Sequence, residues 1–309
     1  MKRLLSVVIS ALIFLLCAYY IVHYFQWHVV LGLLADMDWK WMPLAVAATI
    51  IFFWVFRTVR WMVLLKASGV EVDFCRLYLI GSTAVALAML TPLQSGEAFK
   101  VEFLKKTEAL ERIPGYGIFM TERILDLMVV VFIAGLSAVL GLSRHLNPAA
   151  VYGAAAFMLA GFWVFLSATK RLSPKNALGK FFQPFHQCVR SKKLLLTVVA
   201  LTIAGWFFIV LGWYASFRSV SISVGFLETA ATMAVTTLIG ILSLIPWSLG
   251  VSEVGIASFL VYFRQSEPLA QTGALIIRIY GIVTLLLGVI HFLIWRFVDR
   301  ERGVSGKAG

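Results

Sequence analysis

An apolar segment of the chain is interrupted at residues 90–97, which read Leu90-Thr91-Pro92-Leu93-Gln94-Ser95-Gly96-Glu97. A second apolar segment is interrupted in the same way at residues 244–253, which read Leu244-Ile245-Pro246-Trp247-Ser248-Leu249-Gly250-Val251-Ser252-Glu253. Proline removes a backbone donor and glycine weakens a helix, so each motif predicts a break between two helical arms. We call these motifs the first break and the second break.

The composition around the breaks is that of a membrane protein. Of the 309 residues, 61% are apolar and 14% are charged, whereas soluble domains have about 25% charged residues. Mean hydropathy is +0.91. This excludes a soluble enzyme, a secreted disulfide scaffold and a disordered chain. Unbroken apolar runs of about twenty residues predict an all-α integral membrane protein rather than a β-barrel.

Six apolar runs are long enough to cross a bilayer core of about 30 Å. They lie near residues 4–25, 41–65, 116–142, 150–169, 194–217 and 271–297. The two interrupted segments, which begin with residues 77–93 and 226–245, are predicted to be re-entrant hairpins. Full crossings of the membrane by these segments remain the alternative.

The basic residues predict the orientation of the chain. Nineteen of the 27 Lys and Arg residues fall in the segments 1–3, 66–76, 98–115, 170–193 and 296–309. The positive-inside rule therefore places these segments and both termini in the cytoplasm. The net charge of +12 is explained by this basic collar facing anionic headgroups. We expect no nucleic-acid partner.

The predicted spans and hairpins repeat within a single transmembrane domain, residues 1–309. Residues 4–142 and 150–297 each comprise span, span, hairpin and span, with opposite orientations in the membrane. Pro92 and Pro246 occupy matching positions, and Arg123 and Arg278 follow them at nearly equal distances. Inverted repeats with matching broken helices are typical of secondary transporters.

Charged residues inside the predicted spans are the first candidates for a binding site. Arg57 and Arg60 share one helical face, and Glu122, Arg123 and Asp126 cluster at the start of the third span. Charges at membrane depth are costly and are retained mostly for pairing or function. Snorkelling of the two arginines to the headgroups, and a structural ion pair for the cluster, are the alternatives to substrate binding.

The breaks supply the second group of candidates. Gly96, Glu97 and Lys100 follow Pro92, while Gly250 and Glu253 follow Pro246. An acidic residue in the first turn of a helix is also an ordinary local stabiliser. Alternatively, two helix N-termini within the membrane, together with Arg123 and Arg278, would bind a phosphate group.

Other kinds of chemistry lack a motif. The five histidines and three cysteines have no metal-ligand spacing, so we expect no metal or other cofactor and reduced thiols. The sequence contains no P-loop, so ATP is not expected to drive this chain. A proton or cation gradient, or downhill movement, is expected instead.

A family resemblance rests on Gly81-Ser82, Thr91-Pro92, Ser95-Gly96-Glu97-Ala98, Lys100, Glu122-Arg123 and Asp126, and on Pro246, Gly250, Glu253 and Arg278. With these motifs the chain resembles the lysylphosphatidylglycerol synthase transmembrane-region family, also called flippase-like membrane proteins. The flippase domain of the bacterial multiple peptide resistance factor is a member. The second break is poorer in glycine than is usual in that family.

The resemblance implies movement of a phosphate-bearing lipid between leaflets of a bacterial inner membrane. The lipid would be a phospholipid, an aminoacylated phospholipid or a polyprenyl phosphate. The residues expected to bind the headgroup or a coupling ion are Arg60, Gly96, Glu97, Lys100, Glu122, Arg123, Asp126, Gly250, Glu253 and Arg278, with Pro92 and Pro246 at the breaks. Aminoacyl transfer is not expected, because the sequence has no soluble synthase domain. A lipid-modifying enzyme and a non-transporting scaffold for envelope assembly remain alternatives, and a homo-oligomer is left open.

Overall fold

The computed structural model describes residues 15–105, 110–139, 167, 176–243 and 245–305. These residues form helices and connecting segments and include no strand. The predicted all-α class is therefore confirmed. The predicted span at 150–169 lies outside the described residues, apart from Ser167.

The first half of the chain contains seven described helices. They are α1 (Leu15–Tyr24), α2 (Trp27–Ala35), α3 (Met42–Ile50), α4 (Arg57–Ala67), α5 (Phe74–Met89), α6 (Phe99–Lys105) and α7 (Arg112–Val139). A π-helical segment, Ile51–Phe56, joins α3 to α4. The predicted span at 41–65 is thus one helical run with a wide turn in its middle. The Asp73 side chain begins α5 by accepting a hydrogen bond from the Arg76 backbone N–H at 3.2 Å.

The second half contains α8 (Ala177–Arg190), α9 (Lys192–Ser219), α10 (Phe226–Ser243), α11 (Val251–Tyr262) and α12 (Glu267–Ser305). The predicted spans 194–217 and 271–297 lie within α9 and α12. Helix α8 lies in the long basic segment 170–193 and is amphipathic. Ser191 separates α8 from α9 and caps α9 by accepting a hydrogen bond from Leu194 N–H at 3.3 Å.

Three described helices are long and apolar enough to cross a membrane: Lys192–Ser219, Phe226–Ser243 and Glu267–Val298. The second of these helices is α10, the first arm of the second hairpin. Because α10 is long enough to cross the membrane, the re-entrant path of this hairpin remains a prediction. Helices α4 and α7 carry charges inside their apolar sequences, which lowers their hydropathy. Large apolar side chains face outwards, including Leu196, Leu286 and Phe297, as expected for a lipid-facing surface.

Two separate apolar cores surround the second arms of the two hairpins. The first core packs α6 among α4, α5, α7 and α9 and contains the buried residues Trp61, Leu77 and Leu104. The second core packs α11 against α12 and the end of α9 and contains Phe217 and Leu260. Each core therefore holds the second arm of one hairpin in place.

The first arms of the hairpins pack across the boundary between the halves. Helix α5 lies against α12, and α10 lies against α7. The α5–α12 approach is close, since a Cβ atom on Gly288 would lie 2.6 Å from the Ala86 Cβ. The 3₁₀ segment Pro92–Ala98 and the 3₁₀ turn Pro246–Ser248 also contact each other. The two breaks therefore meet inside the bundle.

Candidate functional site

The first break is a compact 3₁₀ segment rather than a restarted α-helix. Thr91 Oγ1 accepts a hydrogen bond from Gly96 N–H at 2.6 Å and lies 3.1 Å from the carbonyl oxygen of Leu87, to which its hydroxyl can donate. Gln94 takes a left-handed backbone conformation with φ 54°. At Gly96 a Cβ atom would collide with the Leu87 carbonyl. Glycine is therefore required there by close backbone approach.

Arg60 anchors α4 to α7 behind this break. Its guanidinium donates to both carboxylate oxygens of Asp126, at 2.6 and 3.1 Å, and to Thr202 Oγ1 at 3.0 Å. Its Nε lies 3.5 Å from Glu122 Oε1. Only 3% of the Arg60 side chain is exposed. The side chain is thus paired inside the bundle and does not snorkel to the headgroups.

Lys100 links the first break to α7. Its ammonium group donates to Glu97 at 3.1 Å and also pairs with Glu122. The same ammonium group lies 4.9 Å from the centre of the Trp61 ring. All four side chains are buried. A buried charge is stable only when a partner neutralises it. The contacts of Lys100 therefore tie the first hairpin to α4 and α7 of the same half of the chain.

Two further arginines complete the first group and face inwards. Arg57 donates to Glu97 at 2.5 Å. Arg123 Nη2 lies 3.1 Å from Glu97 Oε2 and 2.8 Å from Asp126 Oδ2, and its Nη1 donates to Gln94 at 3.2 Å. Their exposed fractions, 12% and 21%, exceed those of Arg60 and Lys100. These two guanidinium groups therefore form the accessible side of the cluster.

The second break carries a smaller ionic group. Gly250 has φ 83° and begins α11, where its N–H donates to Glu253 Oε2 at 2.8 Å. Arg278 on α12 pairs with Glu253 through Nε at 2.6 Å and donates to Ser252 Oγ at 2.6 Å. Its guanidinium carbon lies 4.9 Å from the centre of the Trp247 ring. Glu253 therefore both caps helix α11 and holds Arg278 in position.

Both groups open onto one cavity of about 250 Å³. The charged residues of its wall are Arg57, Arg123 and Asp126 from the first half and Arg278 from the second. Aromatic and polar side chains complete the lining, including Trp206, Trp247, Tyr280, Gln94, Ser252 and Thr236. A cationic cavity with one carboxylate is suited to binding an anion.

The residues predicted from the sequence fall into three positions. Arg123, Asp126 and Arg278 line the cavity, whereas Arg60, Glu97, Lys100, Glu122 and Glu253 lie behind its wall in the ion pairs described above. Gly96 and Gly250 shape the breaks, and Pro92 and Pro246 begin their 3₁₀ segments.

Several lining residues were not among those expected to bind the headgroup or a coupling ion. Arg57 carried a signal, since it lies on the same face as Arg60. Gln94 and Trp247 lie within the quoted breaks, but Trp206 and Thr236 sit in ordinary apolar helices and gave no signal.

The carboxylates of the first group do not form a metal site. Each of the three, Glu97, Glu122 and Asp126, is bound by at least two cationic side chains. Among the residues that the structure describes, no group of three or more His, Cys, Asp or Glu side chains is arranged to hold a metal ion.

Comparison with known proteins places the chain in a family. Residues 4–288 match the family described as the lysylphosphatidylglycerol synthase TM region. Two similar proteins come from Methanocaldococcus jannaschii. UPF0104 membrane protein MJ1595 is 23% identical over 281 residues, covering 81% of this chain and 83% of that protein. UPF0104 membrane protein MJ1078 is 24% identical over 219 residues, covering 66% of this chain and 92% of that protein. This multi-pass membrane protein belongs to the lysylphosphatidylglycerol synthase transmembrane-region family.

Proposed function

We propose that the protein moves a phosphate-bearing lipid between the two leaflets of a cell's plasma membrane. The observation that carries the proposal is the cavity between the two breaks, with Arg57 and Arg123 on one side and Arg278 on the other. Guanidinium groups bind phosphate with paired, charge-assisted hydrogen bonds. Membership of a family named for a lipid synthase fits a lipid ligand.

The position of the site also supports transport. Backbone that is not helical cannot face lipid, because each unpaired N–H or C=O group would cost several kcal/mol there. Such backbone is tolerated where it lines a protein-walled cavity, which is where transporters bind their substrates. The breaks at Pro92 and Pro246 meet beside this cavity.

An inverted repeat is part of the proposal, and three structural parallels favour it. Helix α5 packs on α12 while α10 packs on α7, so the first arm of each hairpin contacts the last helix of the other half. Gln94 and Ser248, each two residues after its proline, both have left-handed backbone, with φ 54° and 51°. Each break also pairs a glutamate with the following arginine, Arg123 or Arg278.

Exchange of conformation between the two halves would open the cavity to each leaflet in turn. In this mechanism the arginines hold the phosphate, and the acyl chains remain in the lipid phase. Asp126 is the carboxylate of the cavity wall and is the residue we assign to a coupling proton or cation. Cytoplasmic termini complete the proposed topology.

The test is lipid movement in proteoliposomes containing the purified protein, with and without a proton gradient. Headgroup-tagged phospholipids and polyprenyl phosphates are offered, and transfer to the outer leaflet is followed over time. The substitutions Arg123→Ala and Arg278→Ala should each abolish lipid movement, while both variant proteins remain monodisperse. Arg218→Ala is the matched control, because this arginine stacks on Tyr214 at 4.9 Å and does not line the cavity. Wild-type rates in both cavity variants would refute the assignment.

A further inference from the structure

Helix α10 brings to the cavity wall a hydroxyl group that the fold leaves unsatisfied. Thr236 lines the cavity and is only 3% exposed, and its Oγ1 has no hydrogen-bond partner within the described part of the chain. Thr232, one turn earlier, instead donates to the carbonyl oxygen of Glu228 at 2.9 Å. A buried hydroxyl without a partner costs free energy unless a ligand or water satisfies it. Thr236 is therefore available to a molecule bound in the cavity.

This hydroxyl lies on the wall between the two ionic groups. Helix α10 packs against α7, which carries Arg123, and against α11, whose Ser252 accepts a hydrogen bond from Arg278 at 2.6 Å. A Cβ atom on Gly255 of α11 would lie 3.7 Å from Thr236 Oγ1. Gly255 follows Ser252 by three residues and shares its helical face. A headgroup bound by the two arginines therefore shares the cavity with the Thr236 hydroxyl.

Two indole rings line the same cavity. The ring of Trp206 is held by donation of its Nε1–H to Asp126 Oδ1 at 3.3 Å and by packing on Phe52, with ring centroids 5.6 Å apart. Trp247 lines the cavity from the second break. The face of an indole ring is electronegative and attracts C–H groups. Indole rings beside a free hydroxyl suit a ligand with an apolar face and a polar edge, which is the chemistry of a sugar or cyclitol ring.

Resting on the proposed function, we propose that the lipid bound in the cavity carries one hydroxylated ring on its phosphate, as a sugar or cyclitol phosphodiester. The arginines hold the phosphate, the ring packs on the indoles, and a ring hydroxyl hydrogen-bonds to Thr236. The volume of about 250 Å³ lies below the range of about 300–1,000 Å³ for small-molecule pockets, which favours a single ring over an oligosaccharide. Thr236 is thus a specificity residue for the headgroup.

The experiment compares lipids that differ only in their ring hydroxyls, in proteoliposomes of the purified protein. Phosphatidylinositol is paired with phosphatidylcyclohexanol of the same acyl chains, and polyprenyl phosphomannose with polyprenyl cyclohexyl phosphate. We expect the hydroxylated member of at least one pair to move about tenfold faster than its partner. The pair that moves identifies a glycerolipid or a polyprenol as the source of the phosphodiester. Equal rates within both pairs overturn the headgroup assignment and leave lipid transport standing.

The substitution Thr236→Val removes the hydroxyl and keeps nearly the same side-chain shape. It should narrow the rate ratio within the transported pair to about twofold or less, whereas Thr232→Val, which does not alter the cavity wall, should leave the ratio unchanged. Because the Thr236 hydroxyl has no partner in the fold, Thr236→Val should melt at or above the temperature of the unmodified protein. An unchanged ratio, or a melting temperature lower by more than about 2 °C, contradicts the proposal.

A binding measurement separates the failure of this proposal from that of the proposed function. Short-chain dihexanoyl forms of phosphatidylinositol and phosphatidylcyclohexanol are titrated into the detergent-purified protein, and tryptophan fluorescence is followed. Binding of the inositol lipid at least about fivefold tighter, without movement of any long-chain lipid, overturns transport and supports the headgroup assignment. Neither preferential binding nor movement, from folded protein, overturns both.

Discussion

Replacing Gly96 by alanine should open the first break. The added Cβ would meet the Leu87 carbonyl and would lie 2.8 Å from Thr91 Oγ1. Thr91 Oγ1 already accepts the Gly96 N–H hydrogen bond at 2.6 Å. Neither neighbour can move without opening the turn, because one is backbone and the other is held by that bond.

The expected loss of stability is the sum of two effects. Overpacking a closed site costs about 1–3 kcal/mol, and the weakened Thr91 hydrogen bond costs about 1 kcal/mol. The total of about 2–4 kcal/mol corresponds to an apparent Tm lower by about 5–15 °C, at about 2–4 °C per kcal/mol. Tryptophan fluorescence of the detergent-purified protein reports this melting, since the chain has ten tryptophans.

Gly135→Ala is the matched control for this experiment. Gly135 lies in α7, and no atom comes within 4 Å of the position its Cβ would take. Alanine in a helix interior should therefore raise stability by up to about 1 kcal/mol. If Gly96→Ala melts within about 1 °C of Gly135→Ala, the close packing of the first break is refuted.

Three further outcomes are expected. Arg60→Met should lower the free energy of unfolding by up to about 3–5 kcal/mol, because it removes the bidentate partner of the half-buried Asp126; adding Asp126→Leu should recover much of that loss in a double-mutant cycle. Glu253→Gln should destabilise the protein less than Glu253→Ala in thermal melts, because the amide oxygen can still accept from the helix N-terminus. Burial raises the pKa of the Cys188 thiol to about 11, so at pH 7 a maleimide should label exposed Cys75 and leave Cys188 largely unmodified, with Cys188 labelling rising about tenfold per pH unit below that pKa.

Each of these expectations has a result that contradicts it. Additive losses for Arg60→Met and Asp126→Leu would mean that the two side chains do not interact. Equal destabilisation by both Glu253 substitutions would mean that the Glu253 side chain does not cap α11. Labelling of Cys188 in a Cys75→Ser variant, at the rate of Cys75 in the unmodified protein, would contradict the packing of α8 against the bundle.

The breaks could be predicted from sequence because their causes are local. Pro92 and Pro246 each lack a backbone donor and are each followed four residues later by a glycine, and this combination favours a break in an apolar helix. The membrane class and most helix positions follow equally directly from apolar runs. Helix α2 (Trp27–Ala35) was not predicted, because nine mostly apolar residues are too few for a span and carry no other signal.

The arrangement of the charges could not be predicted in the same way. Helical periodicity places Arg57 and Arg60 on one face, but it does not tell which of them reaches the cavity. That difference depends on α7 and α9, since Asp126 and Thr202 hold Arg60 behind the wall. Similarly, nothing distinguishes Trp206 from other aromatic residues of apolar helices until the bundle brings it within 3.3 Å of Asp126.

The left-handed residues of the two breaks have an energetic consequence. Gln94, Trp247 and Ser248 are not glycine, and such a backbone conformation costs about 1–3 kcal/mol for each residue that has a Cβ atom. The surrounding packing maintains these left-handed conformations. The strain is released when the residues change to right-handed torsion angles. The two breaks thus store backbone energy at matching positions, so a change of backbone torsion angles costs less free energy there than in the neighbouring helices.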